Sequence, residues 1–336
     1  MAKAIGCLSG GLDSTLAVAL IQRLGIEVIA FHILHLWHAL PLVPGAKPRA
    51  VRTAEDLGCR CVTVDATEAD LELVQHPKFG LGKRMNPCID CRIWSLRRAR
   101  ELMEAEGAAF VFTGEVLGQR PMSQNRGAMD LIEREAGLAD MLLRPLSAQL
   151  LPPIKAERDG IIDRAKLLAF RGRSRKPQMA LAAEFGITDY PSPAGGCLVT
   201  DPAFAFRLKE LLTHGKPRVA DVELLKVGRH FRLGDGTLLV MGRSAEDCQL
   251  LDRLFEPGDM RIEAADIPGP TTLLRGTPSD ENIGTAAALT LRYIKKVGPG
   301  GRVAVKVATA GGAARTIEAK AADDAEARRW IISPEK

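Results

Sequence analysis

The first half of the chain alternates short apolar runs with stretches whose apolar positions recur at helical spacing. The runs predict strands, and the stretches between them predict helices. Strands that alternate with helices favour a parallel sheet covered on both faces, and such sheets bind ligands at the carboxyl ends of their strands. The predicted strands lie at 4–8, 26–31, 61–65 and 110–114, and the predicted helices lie at 16–24, 47–57 and 90–107.

The second half of the chain has a different pattern. Helices near 177–185 and 202–213 predict a helical extension of the first domain, and a Gly-Asp-Gly turn at 234–236 between two β runs predicts a hairpin. The sequence therefore predicts an α/β protein in three segments. They are a parallel-sheet domain over 1–150, a helical extension over 151–222 that carries Cys197, and a small C-terminal α+β domain over 223–336.

Composition and charge exclude several classes of protein. With 46% hydrophobic and 26% charged residues, the chain is typical of globular proteins and not of disordered or fibrous ones. Its net charge of +5 is too small to indicate a nucleic-acid partner by itself. No apolar signal segment precedes the first strand, and the longest uncharged run, 28–46, contains proline, glycine and histidine. We therefore expect neither secretion nor a membrane span.

The strongest local signal is Ser9-Gly-Gly-Leu-Asp-Ser14, between the first predicted strand and the first predicted helix. Glycines at this place let the backbone approach a ligand, and the free amides at a helix start suit a phosphate or pyrophosphate. No Gly-Lys-Ser/Thr follows, which disfavours transfer of a γ-phosphoryl group by a Walker-type loop. The alternative is a glycine turn in which Asp13 or Ser14 only caps the helix.

Seven cysteines, odd in number and unevenly spaced, favour reduced thiols and a cytoplasmic location over a disulfide framework. Cys88 and Cys91 form a Cys-x-x-Cys at a predicted helix start, where the helix dipole favours thiolates. Cys197 follows a Gly-Gly turn. Three thiolates suit an iron–sulfur cluster with one open iron position, whereas zinc normally takes a fourth ligand. A redox dithiol at Cys88 and Cys91, or inert buried thiols, are the alternatives.

Three histidines, His32, His35 and His38, do not favour a metal site. A helix would spread residues at this spacing around its axis, and a strand would place His35 on the opposite face from the other two. We interpret the segment as a loop near the phosphate-binding end of the sheet.

Two basic clusters offer contacts for a polyanion. Because aromatic residues make up only 4% of the chain, shape recognition of a structured RNA is favoured over base stacking. A solvated basic surface is the alternative. The first cluster consists of Arg164, Lys166, Arg171, Arg173, Arg175 and Lys176, and the second of Arg92, Arg97, Arg98 and Arg100.

The loop at residues 9–14 resembles the SGGxDS pyrophosphate loop of the PP-loop ATP pyrophosphatases, which have a Rossmann-like, adenine nucleotide alpha hydrolase-like fold. Together with three further motifs, this loop makes roughly residues 3–213 resemble the tRNA thiouridine synthases, the group of ThiI-, MnmA- and TtuA-like enzymes. The three motifs are Asn86-Pro-Cys-Ile-Asp-Cys91, Thr113-Gly-Glu-Val-Leu-Gly-Gln119 and Gly195-Gly-Cys197.

The C-terminal domain has a separate and weaker resemblance. Residues 227–295, which include Gly228-Arg-His-Phe231 and the segment from Gly269-Pro270 to Arg275-Gly276, resemble an NFACT-type RNA-binding domain. This resemblance implies an RNA-binding role for the C-terminal domain.

The thiouridine synthase resemblance implies ATP-dependent tRNA thiolation. Enzymes of this group adenylate a uridine carbonyl oxygen, release pyrophosphate, and then replace the oxygen with sulfur while AMP leaves. The implied cofactors are ATP and Mg²⁺, with Asp13 also catalytic and Gly114 and Gln119 lying over the nucleotide. The implied loop residues are Ser9, Gly10, Gly11, Asp13 and Ser14.

The resemblance leaves two mechanisms open for the cysteines. In members that depend on a cluster, Cys88, Cys91 and Cys197 would be the metal ligands of a [4Fe-4S] cluster that presents sulfur. In members that use a persulfide, Cys91 and Cys197 would be the working pair and Cys88 a bystander.

The implied partner is tRNA. We expect neither a tRNA-binding domain before the loop nor a rhodanese-like domain, and therefore RNA contacts from elsewhere in the chain and a sulfur donor in trans. That donor is a cysteine desulfurase, a carrier protein or sulfide, and a homodimer is left open. The competing functions are a PP-loop ligase that acts on a small molecule or another base, and a non-catalytic RNA-binding protein.

Overall fold

The computed structural model describes residues 2–43, 45–192, 197–298, 300–309, 312 and 314–334. The chain divides into two compact units, each made of two stretches. Unit 1 consists of Met1–His35 and Gly45–Gly196, and unit 2 consists of Leu36–Pro44 and Cys197–Lys336.

Unit 1 is built on a five-stranded sheet in which all neighbouring strands are parallel. Its strands are β1 (Lys3–Cys7), β2 (Glu27–Leu34), β3 (Cys61–Asp65), β4 (Phe110–Thr113) and β5 (Leu142–Leu143), in the spatial order β3-β2-β1-β4-β5. Its helices are α1 (Leu12–Arg23), α2 (Arg49–Asp56), α3 (Thr67–Gln75), α4 (Cys88–Ala105), α5 (Arg126–Glu135), α6 (Lys155–Arg158) and α7 (Lys176–Phe185). The predicted parallel sheet is confirmed.

Two apolar layers cover this sheet. Alternate residues of a strand point to opposite faces, so Phe112 packs in one layer with Leu16 of α1, and Val111 packs in the other with Leu96 of α4. All four side chains are fully buried. Burial on both faces explains why these strands are continuous apolar runs, and it leaves the carboxyl edge of the sheet for polar chemistry.

Unit 2 contains a six-stranded antiparallel sheet. Its strands are β6 (Arg229–Arg232), β7 (Leu238–Met241), β8 (Met260–Ala264), β9 (Thr272–Arg275), β10 (Arg302–Thr309) and β11 (Ala314–Lys320), in the order β11-β10-β8-β9-β7-β6. Its helices are α8 (Pro202–Leu212), α9 (Val219–Leu224), α10 (Ala245–Leu254), α11 (Asp280–Arg292) and α12 (Asp324–Trp330). The predicted hairpin is β6–β7, which turns at Gly236 with φ +86°.

The α+β character predicted for the C-terminal domain is confirmed. Helix α11 contributes Ile283 and Leu291 to a core that also holds Phe231, Ile262 and Val305 of the sheet. The segment predicted as a helical extension is divided between the two units: 151–196 belongs to unit 1, and 197–222 belongs to unit 2. Among the described residues, no helix combines the length and the apolar character needed to cross a membrane.

One prediction concerns His230, which is buried in β6 with its Nε2 atom 3.0 Å from the carbonyl oxygen of Leu224. Burial is the main cause that lowers the pKa of His230 to about 3, and the charge of Arg207 is the second cause. In the unfolded chain the His230 ring takes up a proton near pH 6.5, whereas in the folded protein it stays neutral down to about pH 3. The folded state is therefore most favoured above pH 6.5, and it loses stability as the pH falls towards 3. Because of His230, we expect the free energy of unfolding to be about 2 kcal/mol lower at pH 5 than at pH 7.

Urea unfolding at both pH values, followed by circular dichroism, measures this effect. His230→Phe should show a smaller loss of stability on acidification than the wild type, whatever its stability at pH 7. The exposed His214 provides the control, because His214→Gln should keep the wild-type pH dependence. Equal pH dependence in wild type and His230→Phe would contradict the prediction.

Candidate functional site

The SGG loop, residues 9–14, joins β1 to α1 at the carboxyl edge of the sheet. Gly10 has φ +75°, and a Cβ atom there would lie 2.9 Å from the backbone nitrogen of Ala50 at the start of α2. The Ser9 N–H donates to Ser14 Oγ at 3.2 Å, and the Ser14 hydroxyl donates to the Gly11 carbonyl at 3.0 Å. The loop is therefore a tight turn, held by its own serines, that leads into the positive end of a 12-residue helix.

The segment after β4 lies directly against this loop. A Cβ atom on Gly114 would be 2.5 Å from both the carbonyl carbon of Asp13 and the nitrogen of Ser14, so only glycine fits there. Farther along the segment, Gln119 Nε2 donates to Asp13 Oδ2 at 3.0 Å. Among the described residues the buried Oδ1 of Asp13 has no hydrogen-bond partner. One carboxylate oxygen is thus held in place while the other remains available to a cation, and oxygen ligands are those that Mg²⁺ prefers.

A buried ion network connects the same segment to the cysteine helix α4. Glu115 Oε1 is 2.7 Å from Arg92 Nη2, and Glu115 Oε2 is 3.2 Å from Arg144 Nε. Arg144 Nη1 is also 2.7 Å from Glu133 Oε2. Burial alone would raise the pKa of Glu115, but the charges of Arg92 and Arg144 outweigh it and hold that pKa below its usual value. Arg92 directly follows Cys91, so the network fixes the first turn of α4 relative to Gly114 and, through it, the SGG loop.

Cys88 and Cys91 lie on the first turn of α4, and both are half-buried. A helix that precedes a parallel strand begins at the carboxyl edge of the sheet, so both thiols are on the edge that carries the SGG loop. Cys197 belongs to unit 2, where it is exposed just before the 3₁₀ turn Leu198–Thr200. The residues before it in the predicted glycine turn, 193–196, lie outside the described residues.

Three other cysteines are less reactive. Burial raises the pKa of Cys7 to about 12 and that of Cys59, helped by neighbouring Cys61, to about 11. Burial also raises the pKa of Cys61. Thiols that stay protonated are poor nucleophiles and poor metal ligands, so these three are unsuited to the chemistry expected of Cys88, Cys91 and Cys197.

Cys91 has two neighbours that are distant from it in the sequence. His35 directly follows β2, and its Nδ1 atom is 3.0 Å from Asp70 Oδ2 and 3.8 Å from Cys91 Sγ. Asp70 comes from α3. We refer to His35, Asp70 and Cys91 as the His–Asp–Cys cluster. His32 does not join it, because its ring contacts the carbonyl oxygen of Leu8 at 3.0 Å and burial lowers its pKa.

The two basic clusters have different surroundings. Arg92 is part of the buried ion network, and Arg98 and Arg100 pair with glutamates of their own helix. Arg164 pairs with Glu157. In the basic segment, residues 171–176, Arg171 forms a parallel β-bridge with Leu117, and the Gly172 N–H donates to the Leu117 carbonyl at 2.8 Å. This segment therefore runs beside the loop between Gly114 and Gln119.

The part of the chain that the structure describes contains no ion pair for the charged residues of this basic segment. Arg171, Arg173 and Lys176 are exposed, and Arg175 is half-buried. Exposed cations without acidic partners are suited to phosphate groups. The first predicted cluster is thus the better candidate for contacts with a polyanion, and within it residues 171–176 are the better part.

The fold and the SGG loop define a PP-loop nucleotide-binding module of the Rossmann-like class. Residues 1–180, more than half of the chain, match the family described as thiamine biosynthesis protein (ThiI). Residues 228–331 match the NFACT protein RNA binding domain. The chain therefore belongs to the ThiI family and carries an NFACT-like C-terminal domain, so both resemblances seen in the sequence are confirmed.

Individual relatives match parts of the chain. A probable tRNA sulfurtransferase of Methanosarcina mazei is 28% identical over 127 residues, which are 35% of this chain and 29% of that protein. The tRNA-specific 2-thiouridylase MnmA of Thermus thermophilus is 27% identical over 150 residues, 38% of this chain and 40% of the relative. A crystal structure of a 4-thiouridine synthetase–RNA complex with bound ATP shows 20% identity and a TM-score of 0.38, covering 67% of this chain and 52% of that one. The chain thus spans less than half of the length of these two curated relatives.

Proposed function

We propose that this protein is an ATP-dependent tRNA thiolase. The observation that carries the proposal is the continuous connection from the SGG loop through Gly114 and Glu115 to Arg92 and Cys91. This connection joins a phosphate-binding loop to a cysteine, a side chain that can carry sulfur or bind a metal, at the same edge of the sheet. The relatives described above, a probable tRNA sulfurtransferase and a tRNA-specific 2-thiouridylase, support tRNA as the acceptor and sulfur as the transferred atom.

In the first step the uridine carbonyl oxygen attacks the α-phosphorus of ATP, and pyrophosphate leaves. The backbone amides at the start of α1 stabilise the phosphate charge, and Gln119 holds Asp13 in the orientation that directs its second oxygen towards a cation. Mg²⁺, when bound by Asp13, would neutralise part of the charge on the phosphates. The product is a uridine whose former carbonyl oxygen carries AMP.

In the second step a sulfur nucleophile attacks the activated carbon, the carbon–oxygen bond breaks, and AMP leaves. We propose that Cys91 and Cys197 present that sulfur in one of two ways. In the first, the outer sulfur of a persulfide on one of them attacks, the other cysteine displaces the thiolated uridine by forming a Cys91–Cys197 disulfide, and a thiol reductant reduces that disulfide. In the second, both cysteines and Cys88 are ligands of a [4Fe-4S] cluster. The donor set of three thiolates fits such a cluster, which when bound would supply an open iron position for sulfide. Water must be excluded, because attack by water would regenerate uridine.

RNA binding in this proposal has two parts. Arg171, Arg173 and Lys176 lie beside the segment that contacts the SGG loop, so phosphates of the RNA bound there would place a nucleotide near the ATP. The NFACT-like domain would add affinity for the rest of the RNA. The sulfur would come in trans: a cysteine desulfurase or a carrier protein would supply the sulfane sulfur of a persulfide, and sulfide would serve a cluster.

The experiment that tests the proposal incubates the anaerobically purified full chain with ATP, Mg²⁺ and tRNA that lacks thiouridine, in one reaction with sulfide and in another with a cysteine desulfurase, cysteine and a thiol reductant. We expect AMP and pyrophosphate to form only when tRNA is present, and mass spectrometry of the digested tRNA to show one thiolated uridine per molecule at most. Asp13→Ala should lose AMP formation, whereas Asp56→Ala, an exposed residue on α2, should retain it. AMP formation stimulated by a small molecule instead of tRNA, or tRNA binding without AMP formation, would overturn the proposal.

A further inference from the structure

The His–Asp–Cys cluster unites three different ligand atoms from three separate elements. His35 follows β2, Asp70 lies in α3 and Cys91 lies in the first turn of α4. One nitrogen, one carboxylate oxygen and one sulfur of these residues all lie within 4.8 Å of one another. We propose that this cluster is a binding site for one divalent transition-metal ion of the zinc type. The site does not depend on the proposed thiolation.

Its dimensions match those of a tetrahedral ion. Zinc bonds to nitrogen and oxygen are about 2.0–2.2 Å long and bonds to sulfur about 2.3 Å, so neighbouring ligand atoms around a tetrahedral zinc lie about 3.3–3.6 Å apart. In this structure His35 Nδ1 is 3.0 Å from Asp70 Oδ2 and 3.8 Å from Cys91 Sγ. These two distances differ from the tetrahedral values by roughly a few tenths of an ångström, and the ligand atoms of Asp70 and Cys91 lie within 4.8 Å of each other.

The donor set selects the class of metal. Mg²⁺ and Ca²⁺ prefer oxygen ligands alone, whereas a thiolate combined with an imidazole suits zinc and neighbouring transition metals. Three protein ligands are the number found in catalytic zinc sites, in which water or substrate takes the fourth position. The site would therefore hold its ion with one exchangeable position for water or another small ligand.

The surroundings hold the three ligands in place. The Asp70 side chain is only 2% exposed and that of His35 is 21% exposed. The carboxylate of Asp90, in the first turn of α4, is already used in hydrogen bonds, because it accepts the backbone N–H groups of Lys78 and Phe79 at 3.0 and 3.1 Å. It anchors the start of the helix and leaves the ligand role to Asp70.

This site and the expected three-cysteine cluster compete for one thiolate, that of Cys91, so a chain holds either the ion or the cluster, and their other ligands distinguish the two. A metal held by His35, Asp70 and Cys91 requires His35 but not Cys88, whereas a cluster held by the cysteines requires Cys88 but not His35. Single substitutions at these two positions therefore have opposite expected effects.

The experiment removes metal from the full chain with a chelator and then adds Co²⁺ alone, whose absorption spectrum reports both geometry and thiolate ligation. We expect one equivalent to bind with a thiolate-to-cobalt charge-transfer band. Cys91→Ser should lose the band, and His35→Gln and Asp70→Asn should each weaken binding by at least about 100-fold, the upper end of what loss of an outer-shell partner costs. Cys88→Ser and His76→Gln, which changes an exposed histidine, should bind as the wild type does.

A second measurement needs no variant and so does not depend on variants that fold. Saturating Zn²⁺ should protect Cys91 from alkylation at least about tenfold more than Cys88, as read by mass spectrometry of the peptide that contains both. The inference is overturned if the wild-type protein binds no stoichiometric Co²⁺, or if Cys88→Ser abolishes binding while His35→Gln does not. Equal protection of both cysteines by Zn²⁺ would also overturn it.

Discussion

Replacement of Gly114 by alanine is expected to lower the rate of AMP formation by about two orders of magnitude, the loss that a displacement of about 1 Å at a reaction centre can cause. The new Cβ atom would lie 2.5 Å from the backbone of Asp13 and Ser14, well inside van der Waals contact. Backbone atoms cannot rotate away as a flexible side chain can. Either the SGG loop or the segment after β4 must therefore move.

Neither the SGG loop nor the segment after β4 can move without disturbing buried contacts. Thr113, immediately before Gly114, is fully buried and is in register with Cys7 of β1, and Val116 is fully buried on the other side. Asp13 and Ser14 are in the first turn of α1, which continues into the buried Leu16. The displacement will therefore appear where phosphate groups are expected to bind, and it will also disturb the contact between Gln119 and Asp13.

The matched control is Gly127→Ala in α5. A Cβ atom at Gly127 would have its nearest neighbour, Asn125 Oδ1, at 3.7 Å, which is an ordinary contact. Alanine is a better helix former than glycine, so we expect unchanged AMP formation and a gain of up to about 1 kcal/mol in stability. The measurement is the initial rate of AMP release with ATP and tRNA, together with thermal unfolding of each variant. A folded Gly114→Ala protein that released AMP at the wild-type rate would contradict the role of this contact.

Local patterns were sufficient for much of the fold. The strand at 61–65 has the predicted bounds, and the helix near 177–185 lies within one residue of them, because their apolar residues are consecutive or regularly spaced. Helices α3 and α5 were not predicted. Only three residues of α3 and two of α5 are buried, so the periodic signal is weak in both. Strands β8 and β9, five and four residues long, were missed for a related reason, since short strands between turns leave little pattern to detect.

The same distinction applies to the candidate site. The SGG loop and the Cys-x-x-Cys are contiguous in sequence, and their chemistry could be inferred from the residues themselves. The His–Asp–Cys cluster was missed because its members are 35 and 21 positions apart, and the spacing of the histidines with one another carries no information about Asp70 or Cys91. The role of Arg92 was also predicted differently, as an RNA contact. Its charge is used inside the protein because Glu115 is buried and needs a cation.

Replacement of Cys91 by serine is expected to reduce tRNA thiolation by at least about 10³-fold while AMP formation continues. A serine hydroxyl neither ionises near neutral pH nor carries a sulfane sulfur or an iron, so the sulfur step loses its nucleophile. The first turn of α4 should survive, because the Cys91 N–H donates to the Pro87 carbonyl at 2.9 Å and this backbone bond is retained in serine. Arg92 would keep its contact with Glu115, and so the SGG loop would keep its position.

The measurement therefore compares two products in each variant, AMP by chromatography and thiolated uridine by mass spectrometry. Cys59→Ser is the matched control, because burial raises the pKa of that thiol to about 11 and it should retain both products. Cys88→Ser then separates the two sulfur mechanisms: a persulfide on Cys91 and Cys197 predicts retained thiolation, and a cluster held by three cysteines predicts its loss. Unchanged thiolation in Cys91→Ser would remove Cys91 from the reaction, and it would leave the connection from Gly114 through Glu115 to Arg92 as a purely structural brace.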